Sequence, residues 1–167
     1  MNIVVIGVNH RTAPIELLER VSLSGADLPK AVTMVSTRTN INEAVVLSTC
    51  NRTEVYAVAE RFHGAVDDIC DFFCEVGGLD RSDLAAHLYS EHDTPAVRHL
   101  FDVAAGLESA VLGEGEILRQ VRTAWEAARA EGASRSRLNL LFRHAVEVGK
   151  RARTETSIGR HTASVSH

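Results

Sequence analysis

Two short apolar runs on either side of a polar heptapeptide restrict the fold of this chain more than any other feature. Ala44-Val45-Val46-Leu47 precedes the heptapeptide 48–54, and Val55-Tyr56-Ala57-Val58 follows it. Both runs are short and rich in β-branched or aromatic residues, which favours strands. The polar residues between them are predicted to form the connection where the strands end, so Cys50 is expected at a strand end.

The first 92 residues are predicted to fold as a ferredoxin-like α+β subdomain. Their apolar runs and helical periodicity indicate the order β-α-(α)-β-β-α-β, which is a split βαβ pattern. Ser24 and Asp27 resemble a capping box that opens the second helix. The predicted strands cover residues 3–8, 44–47, 55–59 and a short piece of 86–92, and the predicted helices cover about 14–20, 24–37 and 64–76.

Residues 93–156 are predicted to form an all-helical subdomain that packs against the first. Thr94-Pro95 opens a helix to about Ser109, and glycines at 113 and 115 break the chain. Two further helices are predicted to run to about 130 and from 134 through 153 or beyond. Residues 157–167 lack a cap or closing strand, which predicts a chain that continues beyond its last residue.

Composition favours a globular protein without membrane spans. Hydrophobic residues make up 45% of the chain, yet no run of 18 or more apolar residues occurs. The N-terminus has no basic leader, so a cytoplasmic location is predicted. Three cysteines do not form a disulfide framework in a chain of this length, and reduced thiols are therefore expected.

Charge is unevenly distributed along the chain. The whole chain carries −4, but the segment 119–153 has nine basic and three acidic residues, a net charge of about +6. Such an asymmetry can indicate a polyanionic partner. The alternative is that these arginines only solvate the outer faces of helices, as charged residues on helix surfaces usually do.

Cys50 is the first candidate for chemistry. A thiol is a useful nucleophile where a substrate can reach it and where its thiolate form is favoured. Arg52 supplies positive charge two residues away, and Thr49, Asn51 and Thr53 supply hydrogen-bonding groups. The alternative is that Cys50 is an ordinary small hydrophobic residue at the end of a buried strand. The neighbouring residues leave both interpretations open.

The other cysteines and the histidines do not predict a metal site. Cys70 and Cys74 lie beside two phenylalanines in a predicted helix, where core packing is favoured over metal binding because zinc needs four ligands. The eight histidines show no ligand spacing. His10 ends the first predicted strand and would share a cleft with Cys50 if the two strands are neighbours. His99 lies at the margin of an apolar helix face, a position typical of a core-edge histidine.

Four patches spread along the chain together resemble the glutamyl-tRNA reductase family, which opens the five-carbon route to tetrapyrroles. The combination is far more specific than any one patch. The patches are Gly7-Val8-Asn9-His10-Arg11-Thr12-Ala13-Pro14, Leu47-Ser48-Thr49-Cys50-Asn51-Arg52-Thr53-Glu54-Val55-Tyr56, Gly106-Leu107-Glu108-Ser109 with Leu112-Gly113-Glu114, and Gly149-Lys150-Arg151-Ala152-Arg153-Thr154-Glu155-Thr156.

The resemblance implies that this chain is the N-terminal catalytic domain of a three-part, homodimeric enzyme. In that family an NADPH-binding domain and a dimerisation domain follow, and residues 157–167 would begin the linker toward them. Cys50 matches the family's nucleophile, which would attack the ester of glutamyl-tRNA(Glu) and hold glutamate as a thioester. Hydride from NADPH would then release glutamate-1-semialdehyde, the first step toward 5-aminolevulinate. The next enzyme, glutamate-1-semialdehyde aminomutase, is a further implied partner.

Other site residues carry over position by position from the resemblance. His99 matches a histidine regarded as important for activity, so it joins Cys50 as an implied catalytic residue. Arg52 suits a glutamate carboxylate because its planar fork can bind bidentately. Gly115-Glu116 stands where the family often has Pro-Gln, and the acidic Glu116 cannot donate as an amide does. The implied substrate-binding positions are Thr49, Asn51, Arg52, Ser109, Glu114, Gly115, Glu116 and Gln120.

A second interpretation belongs to a different functional class. In it the chain is a non-catalytic RNA- or protein-binding α+β module, and Cys50 is structural. The resemblance favours the first interpretation, and it offers the tRNA backbone as the partner of the basic segment 119–153. Rapid alkylation of Cys50 that glutamyl-tRNA slows would argue against the binding module.

Overall fold

The computed structural model describes residues 2–110 and 115–158, which form four strands and seven helices. In chain order these elements are β1 (Asn2–Asn9), α1 (Ile15–Val21), α2 (Leu28–Ser36), β2 (Ile41–Ser48), β3 (Arg52–Ala59), α3 (Phe62–Gly77), α4 (Arg81–Ala85), β4 (Tyr89–His92), α5 (Thr94–Ala104), α6 (Glu116–Ala130) and α7 (Ser136–Glu155). None of the helices in this part of the chain is long and apolar enough to cross a membrane.

The four strands form one antiparallel sheet in the order β2-β3-β1-β4. The central strand β3 pairs with β2 on one side and with β1 on the other, and β4 pairs with the outer edge of β1. This arrangement is ferredoxin-like and confirms the predicted α+β class. Since β1 and β2 both run antiparallel to β3, the ends of β1 and β2 and the beginning of β3 meet at one edge of the sheet. The candidate site lies at that edge.

Helices cover both faces of the sheet. Every residue of β3 is buried, which requires cover on each side. The helix α3 contacts α1 and α2, and the helices α5, α6 and α7 contact one another. On the face covered by the second group, Tyr56 of β3 makes an edge-to-face contact with Phe142 of α7, with ring centroids 5.5 Å apart. One apolar cluster includes residues of both helix groups and the sheet, and the division near residue 92 stays a prediction.

The predicted loop 48–54 is wrong at both ends. β2 extends to Ser48 and β3 begins at Arg52, so only Thr49, Cys50 and Asn51 connect the two strands. Alternate residues of a strand face opposite sides of a sheet. Arg52 and Glu54 therefore share the face of Tyr56, where partners on other elements satisfy their polar groups. The strand continues through these polar residues because partners on other elements bond their buried polar groups.

The helix predicted to run to Ser109 ends five residues earlier, at Ala104. Gly106 adopts a φ of 81°, which favours glycine, and the amide of Leu107 donates to the carbonyl of Asp102 at 2.9 Å. The close approach of α7 also fixes this end, since a Cβ at Gly149 would lie 2.7 Å from the carbonyl oxygen of Ala104. Residues 105–110 thereby leave the helix and turn toward the beginning of β3.

Three smaller predictions also need correction. The second helix begins at Leu28, and the predicted pair of Ser24 and Asp27 lies in the turn before it, where the hydroxyl of Ser24 donates to the carboxylate of Asp27 at 2.9 Å and accepts from the amide of Asp27 at 3.3 Å. The last helix begins at Ser136, and the hydroxyl of Ser134 donates to Asn139 at 2.8 Å. The short helix α4 was not predicted from the sequence. Its five residues are too few to show a helical period.

Candidate functional site

The three-residue connection between β2 and β3 is held by backbone hydrogen bonds. The amide of Thr49 donates to the carbonyl of Arg52 at 2.8 Å, and the amide of Asn51 donates to the hydroxyl of Thr49 at 3.1 Å. The carbonyl of Asn51 accepts from the amide of His10 at 2.9 Å. These bonds fix the turn on both sides of Cys50, whose thiol is exposed at its tip.

A pocket of about 220 Å³ lies beside this thiol. Its walls come from the β2–β3 connection, from the segment after α5 and from the first turns of α6. The lining residues are Thr49, Cys50, Asn51, Arg52, Ser109, Glu116, Ile117 and Gln120. The structure therefore brings together seven of the ten predicted site residues, although more than 60 positions separate the earliest from the latest.

Gly115 and His99 do not line this pocket. Gly115 is exposed at the beginning of α6. Glu114 lies outside the described residues. His99 lines a separate surface cleft with Glu91, Pro95, Arg98 and Asp102. Ile117, in contrast, lines the pocket but was not predicted, because its apolar side chain carries no chemical signal in the sequence.

Glu116 has an ionic partner one turn along its own helix. Its carboxylate accepts from the guanidinium of Arg119, and both side chains are largely exposed. An ion pair at this spacing holds the carboxylate against the helix surface. Glu116 thus contributes to the pocket wall a carboxylate whose charge is paired with that of Arg119. The family pattern predicts an amide at this position.

Arg52 supplies a buried positive charge to the pocket. Its side chain is only 2% exposed. Its Nη2 donates to the carbonyl of Glu108 at 2.5 Å, so the segment after α5 holds one arm of the guanidinium. Its Nη1 lies 3.5 Å from Oε2 of Glu54 and has no hydrogen-bond partner among the described residues. A buried donor that makes no hydrogen bond is costly, and the ion pair with Glu54 offsets part of that cost.

Glu54 is a second charged residue of the site, and it was not singled out from the sequence. It is 0% exposed. Its Oε1 accepts from the hydroxyl of Tyr56 at 2.9 Å, and its Oε2 accepts from the hydroxyl of Tyr89 at 2.5 Å. Oε2 also bonds Nε2 of His99. A carboxylate within an otherwise apolar strand is the sequence signal that points to such a network.

The surroundings of Glu54 and His99 favour their charged forms. Burial alone raises the pKa of Glu54, but the hydrogen bond and charge of His99, with the charge of Arg52, outweigh burial and hold that pKa below its ordinary value. Burial alone lowers the pKa of His99, and the hydrogen bond and charge of Glu54 outweigh it, so the pKa of His99 is raised. Both shifts favour the ion pair between the Glu54 carboxylate and the His99 imidazolium.

The tyrosines that bond Glu54 act as neutral donors. Burial, together with the adjacent Glu54 charge, raises the pKa of Tyr89 and the pKa of Tyr56 above their ordinary value. Both hydroxyls thus keep their protons over the working range of a protein. The carboxylate of Glu54 is consequently surrounded by donors, which is the condition for burying a charge without a large penalty.

His10 lies near the connection for a reason that differs from the prediction. Strands β1 and β2 are not neighbours, because β3 lies between them. The backbone of His10 nevertheless reaches Asn51, since Asn9 of β1 pairs directly with Arg52 of β3. The Nδ1 atom of His10 is buried and lacks a hydrogen-bond partner within the described residues.

Cys70 and Cys74 lie on α3, in surroundings unlike those of Cys50. Both are partly buried, and burial raises the pKa of both thiols. Across residues 2–110 and 115–158, no group of three or more His, Cys, Asp or Glu side chains is placed to hold a metal ion. The exposed Cys50 is thus the cysteine that lies beside a polar pocket.

Comparison with known proteins identifies a family whose model covers most of this chain. The model described as "Glutamyl-tRNAGlu reductase, N-terminal domain" matches residues 6–156. A glutamyl-tRNA reductase of Frankia alni is 52% identical over 99% of this chain, and one of Paenibacillus macerans is 43% identical over 100% of it. The chain spans about a third of the length of these curated relatives, 35% and 38% respectively.

A solved structure shares the fold. The glutamyl-tRNA reductase from Methanopyrus kandleri matches with a TM-score of 0.70 and 35% sequence identity. The match covers 92% of this chain and 34% of that structure's chain. The similarity thus includes both the four-stranded sheet and the helices that follow it.

Proposed function

Because the chain belongs to the family of glutamyl-tRNA reductase N-terminal domains, we propose that it forms the part of that enzyme where glutamate leaves its tRNA and is held on Cys50. One observation carries this proposal: the pocket brings an exposed thiol and the buried guanidinium of Arg52 to the same wall. A thiol is the nucleophile for acyl transfer, and a guanidinium recognises a carboxylate.

The proposed chemistry begins with the glutamyl group in the pocket. Arg52 binds a carboxylate of the glutamyl group through its guanidinium, which the carbonyl of Glu108 and the carboxylate of Glu54 hold at the pocket wall. Cys50 then attacks the ester carbonyl that joins glutamate to the terminal ribose. The carbon–sulfur bond forms, the carbon–oxygen bond to the ribose breaks, and the ribose oxygen takes the thiol's proton. The resulting thioester is more electrophilic than a carboxylate, which makes a later reduction easier.

The remaining pocket residues are proposed to bind the substrate by hydrogen bonds. Thr49, Asn51 and Ser109 are half-buried in the wall, and Gln120 adds an amide from α6. A few fixed polar groups in a pocket orient a ligand and select it. The substrate roles of Gly115 and Glu116, and that of Glu114 outside the described residues, stay predictions.

NADPH is proposed as the hydride donor of the whole enzyme, held outside this chain. The residues present do not fit it, because no Gly-x-Gly-x-x-Gly motif occurs in the sequence and the neighbouring strands of the described sheet are all antiparallel. A dinucleotide site of the usual kind needs a glycine-rich turn after a parallel strand. A homodimer and a partnership with glutamate-1-semialdehyde aminomutase likewise stay predictions about the whole protein.

The tRNA backbone is proposed to contact the basic face of α7. Arg137 and Arg143 are exposed on this helix and available to phosphates. Arg135 differs from them, because its guanidinium donates to the carbonyl of Asn42 and its amide donates to Glu43 at 2.6 Å. Arg135 therefore has a structural contact of its own.

Trapping the acyl-enzyme tests the proposed function. The protein is mixed with tRNA charged with radiolabelled glutamate, in the absence of NADPH, and the label that stays on the denatured protein is counted. We expect one hydroxylamine-sensitive label per protein, and a loss of at least about a thousandfold in Cys50→Ser because the nucleophile is gone.

Cys70→Ser and Cys74→Ser are the matched controls, since both remove a thiol away from the pocket. We expect these two variants to retain the label. Equal labelling of Cys50→Ser and the wild type would contradict the proposal. Tight tRNA binding without any label would instead favour the binding-module interpretation.

A further inference from the structure

The side chain of Glu54 crosses the neighbouring strand over a glycine. Glu54 of β3 pairs with Gly7 of β1, and Gly7 pairs in turn with Tyr89 of β4. A Cβ added at Gly7 would lie 2.7 Å from the carbonyl oxygen of Thr53 and 2.8 Å from Cγ of Glu54. Any side chain at Gly7 would therefore occupy the space that Glu54 uses. The missing side chain lets the carboxylate of Glu54 reach across β1 to β4 and α5.

The carboxylate of Glu54 connects the pocket to groups behind it. Its Oε2 is shared by Tyr89 on β4, His99 on α5 and Nη1 of Arg52. Arg52 lines the pocket, whereas His99 lines the separate cleft on the outer side of the network. A buried polar network whose members bond and pair with one another restricts each of them to one arrangement. The position of the Arg52 guanidinium thus depends on a carboxylate that does not line the pocket.

We propose that Glu54 is a positioning residue, which holds the guanidinium of Arg52 at the pocket wall and through which His99 acts on the site without touching the substrate. Two contacts and the separation of two cavities support this role. The Nε2 atom of His99 bonds Glu54, Glu54 lies beside Nη1 of Arg52, and His99 lines a cleft that shares no residue with the pocket. The kinetic part of the proposal rests on the proposed function, whereas the network itself does not.

The first test measures the titration of His99 by NMR and needs no substrate. In the wild type we expect its midpoint to lie above the ordinary value, because the Glu54 charge favours the imidazolium. In Glu54→Gln this charge is lost, while burial and Arg52 still disfavour the imidazolium. We therefore expect the midpoint to fall by roughly one pH unit or more. The charged and titratable groups that face His99 are Arg52, Glu54, Tyr89, Glu91, Arg98, Asp102 and Glu108.

The second test measures the concentration dependence of Cys50 acylation by glutamyl-tRNA in the whole protein. If Glu54 positions Arg52, its replacement by glutamine should raise KM more than it lowers kcat, because the carboxylate-binding arm is displaced. We expect kcat/KM to fall roughly 30-fold or more, as for other broken buried charge pairs. A loss confined to kcat, with KM unchanged, would overturn the positioning role.

Glu43→Gln is the matched control. Glu43 is also a buried strand carboxylate, 5% exposed, but its partners are backbone amides of α7. We expect Glu43→Gln to leave both the His99 midpoint and the acylation kinetics unchanged. An equal effect of the two glutamine variants would mean that any buried carboxylate is needed for the fold, and it would overturn the specific role of Glu54.

Glu54→Asp keeps the proposal testable if Glu54→Gln does not fold. Aspartate retains the charge but is one methylene shorter, so it cannot bridge β1 to the same extent. We expect a His99 midpoint that stays above the ordinary value together with an intermediate KM. An unchanged KM in a folded Glu54→Asp variant would contradict the positioning role.

The two tests separate this inference from the proposed function. If the protein forms no acyl-enzyme at Cys50, the proposed function fails, yet the His99 titration still reports whether Glu54 controls His99. If acylation occurs but His99 titrates identically in the wild type and Glu54→Gln, the proposed function stands and the network inference fails.

Discussion

Two buried strand carboxylates lie toward opposite ends of the same sheet, and their partners differ. Glu43 of β2 accepts backbone hydrogen bonds from Arg135 at 2.6 Å and Leu138 at 3.2 Å, so it caps the beginning of α7. Glu54 of β3 accepts only side-chain hydrogen bonds, from Tyr56, Tyr89 and His99, and it lies beside Arg52. Both carboxylates are almost inaccessible to solvent.

The difference shows that burial of a charge does not by itself mark a functional site. The amides that Glu43 satisfies would otherwise be unpaired at a helix end, so its contribution is structural. The groups that Glu54 satisfies are charged or aromatic side chains that reach a pocket and a cleft. The chemical nature of the partners distinguishes the two ends of the sheet: one holds the helical layer, and the other carries the candidate chemistry.

A large effect on acylation is expected at the pocket end, in Arg52→Lys. Lysine keeps the positive charge but loses the fork that joins Glu108 to the pocket. We expect kcat/KM for Cys50 acylation to fall roughly 100-fold, which corresponds to the loss of about 2 to 3 kcal/mol of charged hydrogen bonding. Acylation kinetics at several glutamyl-tRNA concentrations measure this loss.

Arg20→Lys is the matched control for that prediction. Arg20 also donates to backbone carbonyls, those of Gly77 at 2.9 Å and Gly78 at 2.7 Å, but it lies away from the pocket. We expect Arg20→Lys to leave acylation unchanged. If the two lysine variants behaved alike, the pocket would not depend on the Arg52 fork.

A moderate effect on stability is expected at the opposite end, in Glu43→Ala. The change leaves the buried amide of Leu138 and the amide of Arg135 without their partner, which costs about 1 to 2 kcal/mol. We expect the melting temperature to fall by roughly 3 to 8 °C, with acylation by the folded protein unaffected. Thermal unfolding followed by circular dichroism measures the shift, and Glu43→Gln should lose much less because its amide oxygen still accepts.

The smallest effect is expected from the basic face near the Glu43 end. Reversing both charges in Arg137→Glu with Arg143→Glu should weaken tRNA binding about tenfold at low salt and lower the salt dependence by about two counterions. Binding titrations at several salt concentrations measure both quantities. Lys30→Glu, at an exposed position on α2, is the control. Unchanged affinity and salt dependence in the double variant would mean that these arginines only solvate the helix.

The sequence predicted where the strands lie better than it predicted which polar residues belong to them. The runs 44–47 and 55–58 are β-branched, and the structure confirms both as strands. From the sequence alone, Arg52 and Glu54 are predicted to lie in a loop, because polar residues usually end a strand. Their partners come from α5, β4 and the segment after α5, and none of these contacts is visible before the strand order is known.

More of the pocket lining than of the hydrogen-bond network behind it could be predicted from the sequence. The residues that line it carry thiol, guanidinium, amide and hydroxyl groups, which the family resemblance places position by position. The network behind it depends on a residue with no side chain, Gly7, whose effect is to leave space for Glu54. The sequence alone does not show that Gly7 leaves this space for Glu54, because the residues beside Gly7 on the adjacent strands are known only from the fold.

The sequence by itself determined most of the strand and helix segments, and it determined that Cys50 stands at a connection between two strands. Hydrophobic periodicity and residue chemistry are local properties, so they are readable along the chain. Only the tertiary structure decided that Glu54 joins Arg52 to His99, and that Glu43 caps a helix instead. The reason is that a buried charge takes its role from partners that the folded chain brings together from distant positions.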